Sequence, residues 1–225
     1  MKISLILAAA LLASPLVNAQ SMPDDFADMT VLLPGAIYDI RYHGSNNFVG
    51  TPVEGYLAAK CILQGKAAKA LLKVAEAAAA EGLKLKIFDC YRPTTAVAHF
   101  MRWAQDLSDT STKAEYYPNL GKDKLVGEYI AERSGHSRGA TIDLTLVKQD
   151  GQGQWQELDM GSAFDMFDTL SNTDHPDISA TQRANRYKLK ELMEAQGFAN
   201  YAMEWWHYSL VPQPYPDTYF DFPIE

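Results

Sequence analysis

The sequence predicts an α+β fold, a single domain in which an antiparallel sheet is flanked by helices. Three observations carry that expectation. Helix-patterned and strand-patterned segments do not alternate regularly, which argues against a parallel α/β sheet. The turn signature Asp150-Gly151-Gln152-Gly153 joins two strand-like runs as a hairpin. About 205 residues remain once the N-terminal segment is set aside, enough for one sizeable core.

That N-terminal segment reads as an export signal. Met1-Lys2 gives a positive start, Ile3 to Leu12 is apolar, and Val17-Asn18-Ala19 puts small side chains at a cleavage site. Residues 1–19 are therefore expected to be a signal peptide and 20–225 the mature domain, periplasmic or secreted. A bacterial periplasm fits best. No later stretch is long and apolar enough to cross a bilayer, so no membrane anchor is expected.

The elements follow in order. Pro34 to Gly55 is rich in Gly, Asn and Pro and reads as short extended pieces joined by turns. Lys66 to Glu81 is alanine-rich and helical, and Gly82 stands where a helix terminates. Leu83, Leu85 and Ile87 alternate with Lys84 and Lys86 as a half-buried strand. That strand stops at Asp89-Cys90-Tyr91-Arg92-Pro93. Thr94 or Thr95 then caps a helix whose apolar face is Val97, Phe100, Met101, Ala104 and Leu107.

Ser108 to Lys124 reads as a polar loop and Leu125 to Arg133 as a short helix. Ile142, Leu144 and Leu146 alternate with Asp143 and Thr145 in a strand, which the hairpin connects to a second near Trp155 to Leu158. Ser179-Ala180-Thr181-Gln182 is a capping box opening a helix that ends at Gly197. Tyr201 to Val211 is strand-like, and the proline-bearing tail is irregular.

Charge narrows the partners. There are 20 basic and 28 acidic residues, a formal charge of -8. Loss of Lys2 with the signal leaves 19 basic against 28 acidic residues, or -9. No basic stripe is present, so neither nucleic acid nor an anionic membrane is an expected partner. Nothing in the sequence speaks to oligomeric state. Cys61 and Cys90 are the two cysteines, and neither has a second Cys or a His at zinc-finger spacing. An oxidising compartment permits a bridge, but two buried thiols fit equally well, because proximity is not written in a sequence. A bridge, if formed, anchors the strand end that presents Arg92.

Chemistry gathers in two distant stretches, Ser134 to Asp143 and Glu204-Trp205-Trp206-His207. They offer the imidazoles of His136 and His207 and the carboxylate of Asp143, with Glu204 to spare. Three protein ligands and an open position are what a catalytic zinc needs. Asp143 lies in an apolar strand, and a buried charge requires a partner, either an arginine or a metal. Glu204 and His207 are three apart. That spacing puts them on opposite faces of a straight strand, so Glu204 has to sit at a bend if both serve one site. The competing reading is an aromatic strand whose two tryptophans only fill the core.

The motifs resemble the zinc D-alanyl-D-alanine dipeptidases and their D,D-carboxypeptidase relatives. The carrying pattern is Ser134-x-His136-x-x-Gly139-x-x-x-Asp143 followed by Glu204-x-x-His207. Further words point to the VanX-type dipeptidase branch: Tyr42 with Asn47-Phe48-x-Gly50, Asp89-x-Tyr91-Arg92-Pro93, Ile142-Asp143-Leu144-Thr145-Leu146 and Met160-Gly161-x-x-Phe164-Asp165. The resemblance spans nearly all of the mature chain.

It implies one zinc per chain, held by His136, Asp143 and His207 at the sheet, and mixed nitrogen and oxygen ligands suit that ion. It implies Glu204 as general base and Arg92 as the cation facing the oxyanion. Asp165, with Ser134 and Tyr42 nearby, is implied to take the substrate's ammonium. The implied reaction is hydrolysis of D-alanyl-D-alanine to two D-alanines in peptidoglycan dipeptide turnover. The alternatives are a D,D-carboxypeptidase trimming muropeptides and a non-catalytic zinc-dependent module binding wall peptides. Glu204 speaks against the last, since binding needs no base. A purely structural zinc would need a fourth protein ligand, from His43, His99 or His175. One departure stands out. Two residues before Asp143 the superfamily usually has alanine, and here stands Thr141.

Overall fold

A computed structural model describes residues 21–225; the expected signal peptide lies outside the described residues. The elements are β1 (Phe26–Asp28), α1 (Met29–Leu32), β2 (Ile37–Tyr38), β3 (Ile62–Gln64), α2 (Gly65–Ala80), β4 (Leu83–Asp89), α3 (Thr94–Gln105), α4 (Lys113–Tyr116), β5 (Thr141–Gln149), β6 (Trp155–Glu157), α5 (Ala180–Glu194), β7 (Phe198–Asn200) and β8 (His207–Leu210). β2, β4, β5, β8 and β7 lie side by side in that order, with β6 hairpinned onto the far end of β5. A separate pair, β1 with β3, is antiparallel.

The α+β expectation holds, with one correction to the antiparallel sheet: β2 runs parallel to β4. The remaining pairings of the large sheet are antiparallel. α2 packs against β4 and against α5, and α5 also meets β7, so these two helices cover part of the sheet.

β5 is the centre. Its first seven residues are buried, whichever face they point to. The cross-strand partners of Asp143 are Asp89 on β4 and His207 on β8. Directly opposed residues share a face, so these three form one row across the sheet. The register shifts between Ile87 and Asp89. This irregularity brings Asp89, rather than Phe88, level with Asp143, and re-aiming a side chain is what a bulge does.

The capping box at Ser179 forms as read, with Gln182 answering on the backbone of Ser179. Other expectations fail for local reasons. No helix spans Leu125 to Arg133. One turn forms, with the Leu125 carbonyl accepting from Tyr129 and Ile130, and Gly127 inside it at φ 95° departs from helical backbone. The polar loop from Ser108 contains α4 and buries Tyr116, Tyr117 and Lys122. The Lys122 ammonium is satisfied by the carbonyls of Asp106 and Asp109. α3 ends before Leu107, which is 58% exposed, and buries Trp103 instead. Neither Thr94 nor Thr95 caps it; the amide of Thr95 is taken by the Asp221 carboxylate from the tail.

Cys61 and Cys90 are disulfide-bonded, with Cα atoms 5.2 Å apart across a sequence separation of 29. The bridge ties the entry of β3 to the exit of β4, next to Arg92. Loop-closure entropy for a ring of that size is about 3.5 kcal/mol. Replacing both cysteines by alanine should lower unfolding free energy by roughly 2–4 kcal/mol in urea titration; an unchanged midpoint would show that the bridge contributes nothing.

Candidate metal centre

The loop before β5 folds into a 3₁₀ turn, Gly135–Arg138, capped by the Ser134 hydroxyl, which accepts from the His136 amide at 3.2 Å. Gly139 closes the turn at φ 77°, and a Cβ there would run into the Phe26 ring. The turn aims His136 at the β4–β5–β8 row. On the other side of β5, the Tyr201–Trp206 segment is not strand as expected but a turn. The Glu204 amide donates to the Tyr201 carbonyl at 2.9 Å, and the His207 amide to the Glu204 carbonyl at 3.2 Å. This is the required bend, and it brings Glu204 Oε2 to 3.5 Å from His207 Nδ1. Trp205 and Trp206 are buried behind it.

His136, Asp143 and His207 present donor atoms that all lie within 4.8 Å of one another. His136 Nε2 is 3.2 Å from His207 Nδ1 and 3.2 Å from Asp143 Oδ2. His207 Nδ1 is 3.0 Å from Asp143 Oδ1. Tetrahedral zinc with bonds of about 2.0–2.1 Å separates its donors by about 3.3 Å, close to these spacings. Asp143 Oδ1 is buried without a hydrogen bond. His136 Nδ1 meets the Cys90 carbonyl at 2.6 Å. A carbonyl only accepts, so Nδ1 carries the proton and Nε2 keeps its lone pair for an ion. The donor set therefore fits zinc. Among the described residues no fourth ligand joins it, and His43, His99 and His175 each meet backbone groups elsewhere.

Arg92 stands beside the row. Its Nε and Nη2 both lie 2.9 Å from Asp89 Oδ2, and Nη2 is 3.7 Å from Asp143 Oδ2. The guanidinium lies 5.0 Å from the centre of the Tyr42 ring. Asp89 is the residue of this row that sequence reasoning did not single out. It is fully buried, takes the Tyr56 hydroxyl at 2.7 Å, and holds Arg92 in place. Its signal was its place in the Asp89-x-Tyr91-Arg92-Pro93 word; its alignment with Asp143 comes from the bulge, which no pattern announces.

Asp165 lies 5% exposed, and Tyr42 donates to its Oδ2 at 2.8 Å. Its φ of 61° is the left-handed conformation rarely adopted outside glycine, a strain that accumulates at functional sites. Ser134 shares the cleft with Asp165 and Tyr42. Its hydroxyl engages the His136 amide and lies 3.5 Å from Arg92 Nη1, with no hydrogen bond to Tyr42 or Asp165.

Burial dominates the electrostatics. It pushes the Glu204 carboxyl up to about 7, against the pull of His207. It also raises Asp165 well above the ordinary range, and the nearby charge of Asp143 adds to the rise. Asp143 goes the other way: burial opposes its ionisation, but His136 and His207 together hold it low. All these groups face one cleft of about 440 Å³, lined by Tyr42, Arg92, His136, Asp143, Asp165, Glu204 and His207.

The loop carrying Asp165 is held from below by Arg186 of α5. This fully buried guanidinium donates to the carbonyls of Met160 at 2.6 Å, Leu170 at 2.9 Å and Asn172 at 2.6 Å. Without it the buried carbonyl of Met160 and the partly buried carbonyls of Leu170 and Asn172 lose their donor, and a fully buried orphan costs about 1–3 kcal/mol. Arg186→Met should therefore destabilise the fold by about 2 kcal/mol or more in chemical denaturation. A loss under about 1 kcal/mol would mean that the loop finds other donors.

Comparison with known proteins places this geometry in a lineage. A family model described as D-ala-D-ala dipeptidase matches residues 22–225. The D-alanyl-D-alanine dipeptidase of Streptomyces coelicolor is 44% identical over 90% of this chain and 100% of its own length. Those of Enterococcus faecalis and Enterococcus faecium are 41% and 40% identical, covering 90% and 89% of this chain and 100% and 98% of theirs. A chain matched over residues 22–225, with two imidazoles and a carboxylate converging beside a Glu, belongs to the D-alanyl-D-alanine dipeptidase family.

Proposed function

We propose that this protein hydrolyses D-alanyl-D-alanine to two molecules of D-alanine in a zinc-dependent reaction. The single observation that carries the reading is the meeting of His136, Asp143 and His207 at the floor of a cleft that Glu204, Arg92 and Asp165 also face. His136, Asp143 and His207 would hold the ion. Zinc, when bound, would supply Lewis acidity, bringing the pKa of a water molecule down to about 7 and polarising a carbonyl.

The remaining steps belong to the chain. Glu204 takes a proton as the water oxygen bonds to the peptide carbonyl carbon. It returns that proton to the amine nitrogen as the C–N bond breaks. Arg92, oriented by Asp89, faces the negative charge that develops on the carbonyl oxygen. Asp165 accepts the substrate ammonium, with Tyr42 fixing its carboxylate. A buried acid whose one direct partner is a phenol gains most from a cationic ligand.

One purified sample tests this. It should contain one zinc per chain, cleave D-alanyl-D-alanine, and leave N-acetyl-D-alanyl-D-alanine at least about 100-fold less cleaved, because the acetyl group removes the charge Asp165 recognises. Glu204→Gln should keep zinc and lose at least about 100-fold in kcat. Full turnover in that variant overturns the mechanism, and equal cleavage of the acetylated substrate points to a carboxypeptidase.

The setting is part of the proposal. We infer export to the periplasm or beyond, where the enzyme acts on dipeptide released from the wall. The Cys61–Cys90 bridge supports an oxidising compartment. Mass spectrometry of protein made in its own host should find the N-terminus near Gln20; an intact Met1 would refute export by this signal.

A further inference from the structure

A free dipeptide has a carboxylate as well as an ammonium, and the groups described so far leave the carboxylate without a partner. We propose that Arg138, with the hydroxyls of Ser209 and Thr141, forms the subsite for the substrate's C-terminal carboxylate. The inference rests on the hydrolytic reading above and extends it to the other end of the molecule.

The sheet sets the position. Thr141 pairs with Ser209 as Asp143 pairs with His207, two residues further along the same two strands. Residues two apart share a face, and that step is about 6.7 Å. A two-residue chain spans at most about 7 Å. A peptide whose scissile carbonyl lies at the metal ligands therefore brings its carboxylate towards the Thr141–Ser209 pair. The two hydroxyls are 2.7 Å apart. If Thr141 donates within that pair, the Ser209 proton is free to point into the cleft.

Arg138 supplies the charge. Its Nε meets Gln213 Oε1 at 2.5 Å and its Nη1 the Tyr219 hydroxyl at 3.1 Å. Both acceptors are neutral, and no carboxylate among the described residues pairs with it. Its Nη2 turns towards Gly135. A Cβ built on Gly135 would sit 3.2 Å from Arg138 Nη2, 3.2 Å from Thr141 Oγ1 and 3.9 Å from Ser209 Oγ. The absence of a side chain at Gly135 thus lets three polar atoms pack closely against its backbone, and Gly135, Arg138 and Ser209 all line the cleft. A guanidinium held by neutral groups beside a hydroxyl pair is suited to a planar carboxylate. Thr141 is where this chain departs from the superfamily's alanine, so it acts here as a positioning residue for Ser209.

The test compares D-alanyl-D-alanine with D-alanyl-D-alaninamide, in which the carboxylate is a neutral amide. Wild-type zinc-loaded enzyme should favour the acid in kcat/KM, and Arg138→Met should erase roughly 10- to 100-fold of that preference, mainly through KM. Activity on the amide should stay within about threefold, a split that a merely structural role would not give. Ser209→Ala, which leaves the Gln213 and Tyr219 contacts intact, should erase a smaller part in the same direction. If wild type cleaves the dipeptide and both variants keep the full preference, or lose both substrates equally, the subsite is wrong and the hydrolytic reading stands. If zinc-loaded wild type cleaves neither substrate, the hydrolytic reading falls and the subsite falls with it.

Discussion

Buried negative charge is the constraint around which this protein is arranged. Asp89, Asp143 and Asp165 are each no more than 5% exposed, and Glu204 stands partly buried among them. Arg92 is the guanidinium packed within that group. Burying uncompensated carboxylates is expensive. Burial accordingly raises the carboxyls of Asp165 and Glu204 above their ordinary range. The remaining charge calls for a multivalent cation, and the two imidazoles beside Asp143 mark where it goes. The same surplus of acid suits the site to a dication.

Holding such groups apart demands rigid supports, and the supports are mostly backbone carbonyls. The Cys90 carbonyl orients His136, and three loop carbonyls converge on Arg186 beneath Asp165. The Asn200 side chain reaches the carbonyls of Glu204 and His207, both at 3.2 Å, and clasps the turn that carries Glu204. Each support uses main-chain carbonyls, whether to hold a side chain or to be held by one. A site built this way is sensitive to residues that never touch the substrate.

Much of this was legible in the sequence, and what was not has a physical reason. The hairpin at Asp150, the capping box at Ser179 and the helix ending before Gly82 are local signals and formed as read. The ligands were legible because their spacing is local on each side: His136 to Asp143, Glu204 to His207. The bend at Glu204 followed from a parity argument once both residues were required to meet. The bulge at Asp89, the parallel β2 and the short β7 were invisible, because each depends on pairing between segments far apart. The helix expected after Leu125 failed to Gly127, whose left-handed backbone outweighed the neighbouring propensities.

The borders of the large sheet have a consequence for solubility. Its strands with an unpaired border are β2, of two residues, and β6 and β7, of three each. An unpaired border of that length exposes very few free amides and carbonyls, so it makes a poor template on which another chain could add a strand. The long, apolar β5, the segment most prone to self-association if laid bare, is enclosed by neighbours on both flanks. The architecture that places the metal ligands on the innermost strands thereby also guards against polymerisation.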